Sequence, residues 1–314
     1  MKISTSIFRH GCAWIFMCIG FVDANANTDA RVDEKRNTPL YDFQARNRDT
    51  ISQIYNTTIY PNNLPILTNG SAATPKGLFN ENATGRISPL GNFTGFDDST
   101  EYFFALSPIP GKTGVGILQP NYNAFTSYEL HAFTSGCPEV ASTIAYLNTT
   151  IVNPASASHG QYVTKIKEIA FWRFDNKGAV LYYDAQIPNL SLWFSKFTGA
   201  DISNPAVQAL DIVTNLCPQI QARCTGANRV YSSDTECIAT LLAKRFGTFD
   251  ETWGDNIVCR LVHVVLTQVR PEVHCPHVGP TGGMKCVDYD YNQGYLADDL
   301  ALFGSNDAFR CPGE

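Results

Sequence analysis

Residues 163–188 read VTKIKEIAFWRFDNKGAVLYYDAQIP. Val163–Asp175 and Gly178–Pro188 are rich in β-branched and aromatic residues, as strands are, and Asn176-Lys177 followed by Gly178 is a short hairpin connection between them. Phe125–Thr134 and Val140–Val152 have the same composition upstream. Consecutive strands joined by turns predict one curved antiparallel sheet over about Ser127–Ile187, with Phe174 and Val180 near a hairpin end.

Outward from that sheet the pattern turns helical. Ile51, Ile54 and Tyr55 have helix spacing within Arg48–Tyr60, which ends before Pro61. Pro61–Pro75 is a loop by composition, and Gly77–Gly95 is punctuated by glycine and proline throughout. Asp98-Ser-Thr-Glu101 looks like an N-cap with its capping residue, opening a short helix over EYFFAL that Pro108 and Pro110 end. After Asn204-Pro205, helical spacing covers Ala206–Ile220, Asp234–Phe246 and Asn256–Gln268, with Asp234 as an N-cap and Gly247 as a stop. The fold class is therefore α+β. A curved antiparallel sheet packed with helices over 44–200 is followed by a small helical, disulfide-rich domain over 201–314, with the boundary near Lys196–Pro205.

The amino terminus reads as a secretory leader over 1–26. Lys2, Arg9 and His10 are its basic part, Cys12–Val22 its apolar part and Ala24-Asn25-Ala26 its cleavage site. About 11 apolar residues are too few to span a bilayer, so the expectation is a mature, extracellular chain from Asn27, free of the membrane after cleavage. Residues 27–43 are polar and read as poorly ordered. Sequons at Asn56, Asn69, Asn82, Asn92, Asn148 and Asn189 predict a glycoprotein. Net charge −6 without a long basic run disfavours a nucleic-acid partner.

Beyond the leader, the cysteines are Cys137, Cys217, Cys224, Cys237, Cys259, Cys275, Cys286 and Cys311. An even count in an oxidising compartment predicts disulfides throughout. All but Cys137 follow Asn204, so parity requires Cys137 to bond into the tail. Cys224 with Cys237, and Cys275 with Cys286, are the expected local pairs.

The densest chemistry lies in Cys259–Cys286, CRLVHVVLTQVRPEVHCPHVGPTGGMKC, which holds His263, His274 and His277. These imidazoles could hold Zn or Cu, His274 and His277 flanking Cys275 on a Pro-containing loop. The alternative is a disulfide-stapled loop with buried, hydrogen-bonded imidazoles. The oxidising compartment, and the lack of a C-x2-C or H-E-x-x-H pattern, favour that alternative. Gly279–Gly283, GPTGG, lacks the Lys-Ser/Thr pair of a phosphate loop, and no G-x-S-x-G is present. Asp288 and Asp290 start a calcium-loop spacing that is not continued, and the sequence leaves any cofactor unknown.

GRISPLGNFTG, EYFFAL and EIAFWRFDNKGAVLYYDAQIPNL resemble the nuclear transport factor 2-like, or SnoaL-like, cone fold over about Gln44–Leu190. The tail phrases CTGANRVYSS, WGDNIVCRLVH and HCPHVGPTGGMKC are similar to a module of secreted fungal proteins. The first resemblance implies helices packed on a bent sheet around a pocket. The cyclases of that family use an Asp as general acid/base, which points to Asp184. His131 is the other titratable strand residue. If Tyr183 points inward, strand alternation turns Asp184 outward. Three readings follow: a secreted protein binding a small molecule or an extracellular protein through the cone pocket or the tail; a cyclase, isomerase or dehydratase using His131 and Asp184; and a metal protein using the three tail histidines.

Overall fold

The computed structural model describes residues 42–109, 122–290 and 299–313. The leader expected at 1–26 and the mature start expected at Asn27 lie outside the described residues. Helix α1 (Asp42–Thr58) begins two residues inside the stretch read as polar and unstructured. Its Ile51, Ile54, Tyr55 and Thr58 share one buried face. Each such isoleucine, sealed from water, contributes about 1.5–3 kcal/mol. Short α2 (Leu64–Asn69) follows.

Among the described residues the sheet has six strands in the order β2-β1-β6-β5-β4-β3. β3 (Asn123–Cys137), β4 (Val140–Ile151), β5 (Tyr162–Phe174) and β6 (Val180–Gln186) pair antiparallel in sequence order, with Phe174 opposite Val180 at the hairpin end. The hairpin turn is built from Asp175, whose carboxylate accepts the Lys177 and Ala179 amides at 2.8 and 3.0 Å. Gly178 supplies a φ of 87° there, and Thr50 of α1 donates to its carbonyl at 3.0 Å. Register shifts at three points along β3 bend the sheet.

The stretch punctuated by glycine and proline holds two strands. It forms β1 (Phe79–Ser88) and β2 (Gly91–Thr94), an antiparallel hairpin whose β1 runs parallel to β6. Gly85 is there because Tyr183 lies flat against it: a Cβ would come within 2.0 Å of that ring. The residue that weakens the strand signal is thus the one the packing requires.

Next comes α3 (Gly95–Thr100), which runs directly into a π-turn over Glu101–Ala105, so the predicted short helix exists with a wider turn and no side-chain cap at its start. After β6 the chain is helical: α4 (Leu190–Thr198), α5 (Pro205–Asp211), a π-turn (Ile212–Leu216), α6 (Cys217–Arg223), α7 (Asp234–Leu242), α8 (Ile257–Leu266), α9 (Pro271–Val278) and α10 (Asp299–Phe303). The helix expected over Ala206–Ile220 forms without a break, but its ladder widens to a π-turn just before Pro218, which has no amide to donate. Ser233, not Asp234, caps α7, accepting the Glu236 amide at 3.1 Å. Asn256 caps α8, accepting the Cys259 amide at 2.8 Å. The Pro-containing loop expected around Cys275 is instead helix α9. No described helix is long and apolar enough to cross a membrane.

Contacts gather the described residues into one compact unit. One apolar core runs from Ile51 on α1, through the sheet, to Val278 on α9. Four disulfides join the cysteines of the described residues: Cys137–Cys311, Cys217–Cys237, Cys224–Cys275 and Cys259–Cys286. Cys137 therefore bonds into the tail as parity requires, but the two expected local pairs do not form. Helix α6 packs against both α7 and α9, so Cys217 meets Cys237 and Cys224 meets Cys275. Nearness in space, not along the chain, selects the partners.

The Cys137–Cys311 bond spans 174 residues. By the chain-entropy model, closing so long a loop contributes up to about 5 kcal/mol. A Cys137→Ser/Cys311→Ser variant should lose several kcal/mol in chemical denaturation. Unchanged stability would show that the bond does not constrain the unfolded chain.

Candidate functional site

The concave sheet face, α1, the Glu101–Ala105 turn, α4 and α8 surround a cavity of about 160 Å³. A void of that size accommodates roughly one small aromatic ring system. Phe103, Phe125, Trp193, Phe194, Leu261 and Val265 make its wall mostly apolar. The one charged residue among its described lining is Glu168, which is 4% exposed. Strand alternation puts it there: Ile166, Glu168, Ala170, Trp172 and Phe174 are buried together on one face of β5.

Two tyrosines hold the Glu168 carboxylate. The Tyr55 hydroxyl on α1 donates to Oε1 at 2.7 Å, and the Tyr102 hydroxyl in the π-turn donates to Oε2 at 2.8 Å. Burial raises the Glu168 pKa above its ordinary 4.5, and the two hydroxyls, which favour the ionised form, offset only part of that. Burial also raises both tyrosines well above 10, with the nearby carboxylate adding to the effect, so both remain donors. The arrangement is a carboxyl group of raised basicity, oriented by two hydroxyls, in the wall of an apolar cavity. Such a group can take a proton from a bound molecule and return it elsewhere.

A second polar centre lies between α8 and α9. His263 comes from α8, while His274 and His277, three apart, share one face of α9. His263 Nδ1 lies 3.3 Å from His274 Nδ1 and 3.2 Å from His277 Nδ1. His274 Nε2 lies 2.9 Å from Glu101 Oε2. Arg270 grips the same carboxylate through Nε and Nη2, each at 2.5 Å. Burial pushes His263 well below 6.5 and His277 down to about 4, with the neighbouring imidazoles adding to both shifts. His263 also lines a second cavity of about 170 Å³, together with Lys285, Trp253 and Tyr289.

The two catalytic candidates named from sequence lie elsewhere. His131 is exposed on β3, 3.1 Å from Glu129 Oε1 and beside the Tyr146 ring. Tyr183 points into the core, so Asp184 turns to the opposite face of β6, where Arg86 binds it and also pairs with Asp299 at 3.1 Å. Neither residue lines the cavity. The three tail histidines do come together. Of the sequon asparagines, Asn56, Asn69, Asn82 and Asn189 are exposed, whereas Asn92 and Asn148 are half-buried. Sequence spacing gives Tyr55 and Glu101 only helical roles and gives Glu168 none. The signal for Glu168 was available: counting by twos from Trp172 puts it on the inner face.

Residues 184–289, from β6 to beyond the last paired tail histidine, match the BfoA family C-terminal domain. Bifonsecin B biosynthesis cluster protein A of Aspergillus brasiliensis is 27% identical over 224 residues, 67% of this chain and 70% of that protein. Aurasperone B biosynthesis cluster protein A of Aspergillus niger is 28% identical over 220 residues, 67% of this chain and 68% of that protein. A protein described as a SnoaL-like polyketide cyclase, from Jannaschia sp. CCS1, aligns structurally with 52% of this chain and 98% of its own, at 9% identity and a TM-score of 0.33.

The buried carboxyl has a measurable signature. Below about pH 4.5 the folded and unfolded chains both hold the Glu168 proton, and its contribution to stability is complete. As pH rises past that value the unfolded chain releases its proton first, so the contribution falls until the folded pKa is passed. Glu168→Gln lacks this fall. Denaturation from about pH 4 to about pH 8 should show the variant gaining on the wild type as pH rises. A constant difference would show that Glu168 ionises as readily as in water.

Proposed function

We propose that this protein is an exported small-molecule enzyme that moves a proton on a ring-bearing, largely apolar substrate held in the sheet-domain cavity, with Glu168 as the general acid/base. The observation that carries this reading is Glu168 itself. Among the described residues its hydrogen-bond partners are two tyrosine hydroxyls rather than a cation. A carboxyl buried without a counter-charge costs stability, and such groups concentrate at functional sites.

In this reading the ionised Glu168 takes a proton from a carbon next to a substrate carbonyl. The Tyr55 and Tyr102 hydroxyls keep the carboxylate in place, and one of them can turn to the developing enolate oxygen. Returning the proton to another carbon gives isomerisation, and returning it to a departing hydroxyl gives dehydration. The aromatic wall orients the ring and excludes water. The relatives in bifonsecin B and aurasperone B biosynthesis clusters support a place in the making of such compounds. The disulfides support an oxidising compartment, and the exposed sequons support glycosylation there.

The alternative reading, a pocket that binds without catalysis, is favoured by the scarcity of other polar groups in the cavity wall. 2-Tetralone, a bicyclic ketone with exchangeable protons beside its carbonyl, separates the two. The wild type should speed exchange of those protons in deuterated water, and Glu168→Gln should be slower by about 10²–10⁴-fold. Leu106→Trp, which fills the cavity, should weaken 2-tetralone binding at least about tenfold. Saturable binding with no Glu168-dependent exchange would leave the binding reading standing and the enzymatic one refuted.

A further inference from the structure

We infer that His263, His274 and His277 form a binding site for one divalent transition-metal ion of the zinc–copper class, held in position by Glu101 and Arg270. The inference is independent of the role given to Glu168.

Geometry is the first support. Three imidazole nitrogens bound to one tetrahedral zinc at about 2.0–2.1 Å stand about 3.3–3.4 Å apart. The two Nδ1···Nδ1 separations are 3.3 and 3.2 Å. The three donor atoms all fall within 4.8 Å of one another. Hydrogen bonding alone explains this convergence poorly. A neutral imidazole has one N–H, so His263 Nδ1 can donate to at most one of the two nitrogens it faces. A cation at the centre gives every lone pair a partner.

The surroundings are the second support. His274 Nε2 faces Glu101 Oε2 at 2.9 Å, so the ring N–H points to the carboxylate and the bare Nδ1 points into the cluster. Glu101 is 2% exposed and is fixed by Arg270 from the other side. A carboxylate that sets the tautomer of a histidine and orients its ring is the usual outer support of a metal-bound imidazole. The helices are also held rigidly: Cys275, beside His274, is bonded to Cys224, and Cys259, one turn before His263, is bonded to Cys286. Both cysteines near His263 are thereby spent, which leaves a ligand set of three nitrogens.

Such a set leaves a fourth position, as catalytic rather than structural zinc sites do. His263 also faces the second cavity, whose wall includes Lys285. The Lys285 ammonium donates to the Asn92 carbonyl at 2.8 Å. A cation there favours hydroxide or another small anion as the fourth ligand.

The test uses full-length, disulfide-intact protein without a polyhistidine tag, stripped with chelator and titrated with Co²⁺. The wild type should bind one equivalent and develop the visible absorption of tetrahedral cobalt, which Zn²⁺ should then displace. His274→Ala/His277→Ala should abolish the band. Glu101→Gln should weaken binding by about 10–100-fold while leaving the band's shape unchanged. Circular dichroism confirms folding of each variant, and His277→Asn serves if the double variant fails to fold. No cobalt band with the wild type at a large excess, or equal affinity in wild type and His277→Asn, would overturn the inference.

Discussion

The fold depends on the turn at Glu101–Ala105. All five of its residues are buried, and the Leu106 amide reaches back to the Glu101 carbonyl at 3.1 Å, a π-type bond. That widened turn sends consecutive side chains to different centres. Glu101 meets Arg270 and His274, and Tyr102 meets Glu168. Phe103 stacks on Trp172, with ring centroids 5.7 Å apart. Such insertions rephase a helix face and frequently occur at functional sites. A regular α-turn would rotate the residues after it by about 100° relative to those before it.

This geometry explains how the disulfide-bound helices and the sheet come to share one core. Arg270 and His274 are on the tail side of the Glu101 contact, and α8 contributes Leu261 and Val265 to the wall of the sheet cavity. The Glu101–Arg270 pair is bidentate and partly sheltered, so it is stronger than a surface ion pair. Glu168 is the opposite case. It is buried with two neutral donors, and its burial penalty is only partly offset. One carboxylate holds the structure together and the other is maintained at a cost, which is why a chemical role is assigned to the second.

Much of the sheet was legible because side chains alternate with period two. The hairpin at Asp175–Gly178 and the run of buried residues from Ile166 to Phe174 follow directly from composition and spacing. Cysteine parity likewise sent Cys137 to the tail. The hairpin of β1 and β2 was not legible, because Gly85 looks like a turn residue until the Tyr183 ring is seen against it. The tail pairings were hidden for a related reason: α6 touches two helices that are distant in sequence. The three histidines stood out by density alone, but Glu101, which orients one of them, lies 173 residues from His274. Asp184 attracted notice through a family resemblance, and alternation from Tyr183 then turned it away from the cavity and onto Arg86.

The central claim is that Glu168 lies open to a ligand in an aromatic cavity. A crystal structure of the disulfide-intact protein grown with 2-tetralone tests it most directly. The account predicts the ketone's ring against Phe103 and Trp193, with a carbon next to its carbonyl facing a Glu168 carboxylate oxygen. A cavity closed by its own side chains, with Glu168 sealed between Tyr55 and Tyr102 and the ketone bound elsewhere or not at all, would contradict it.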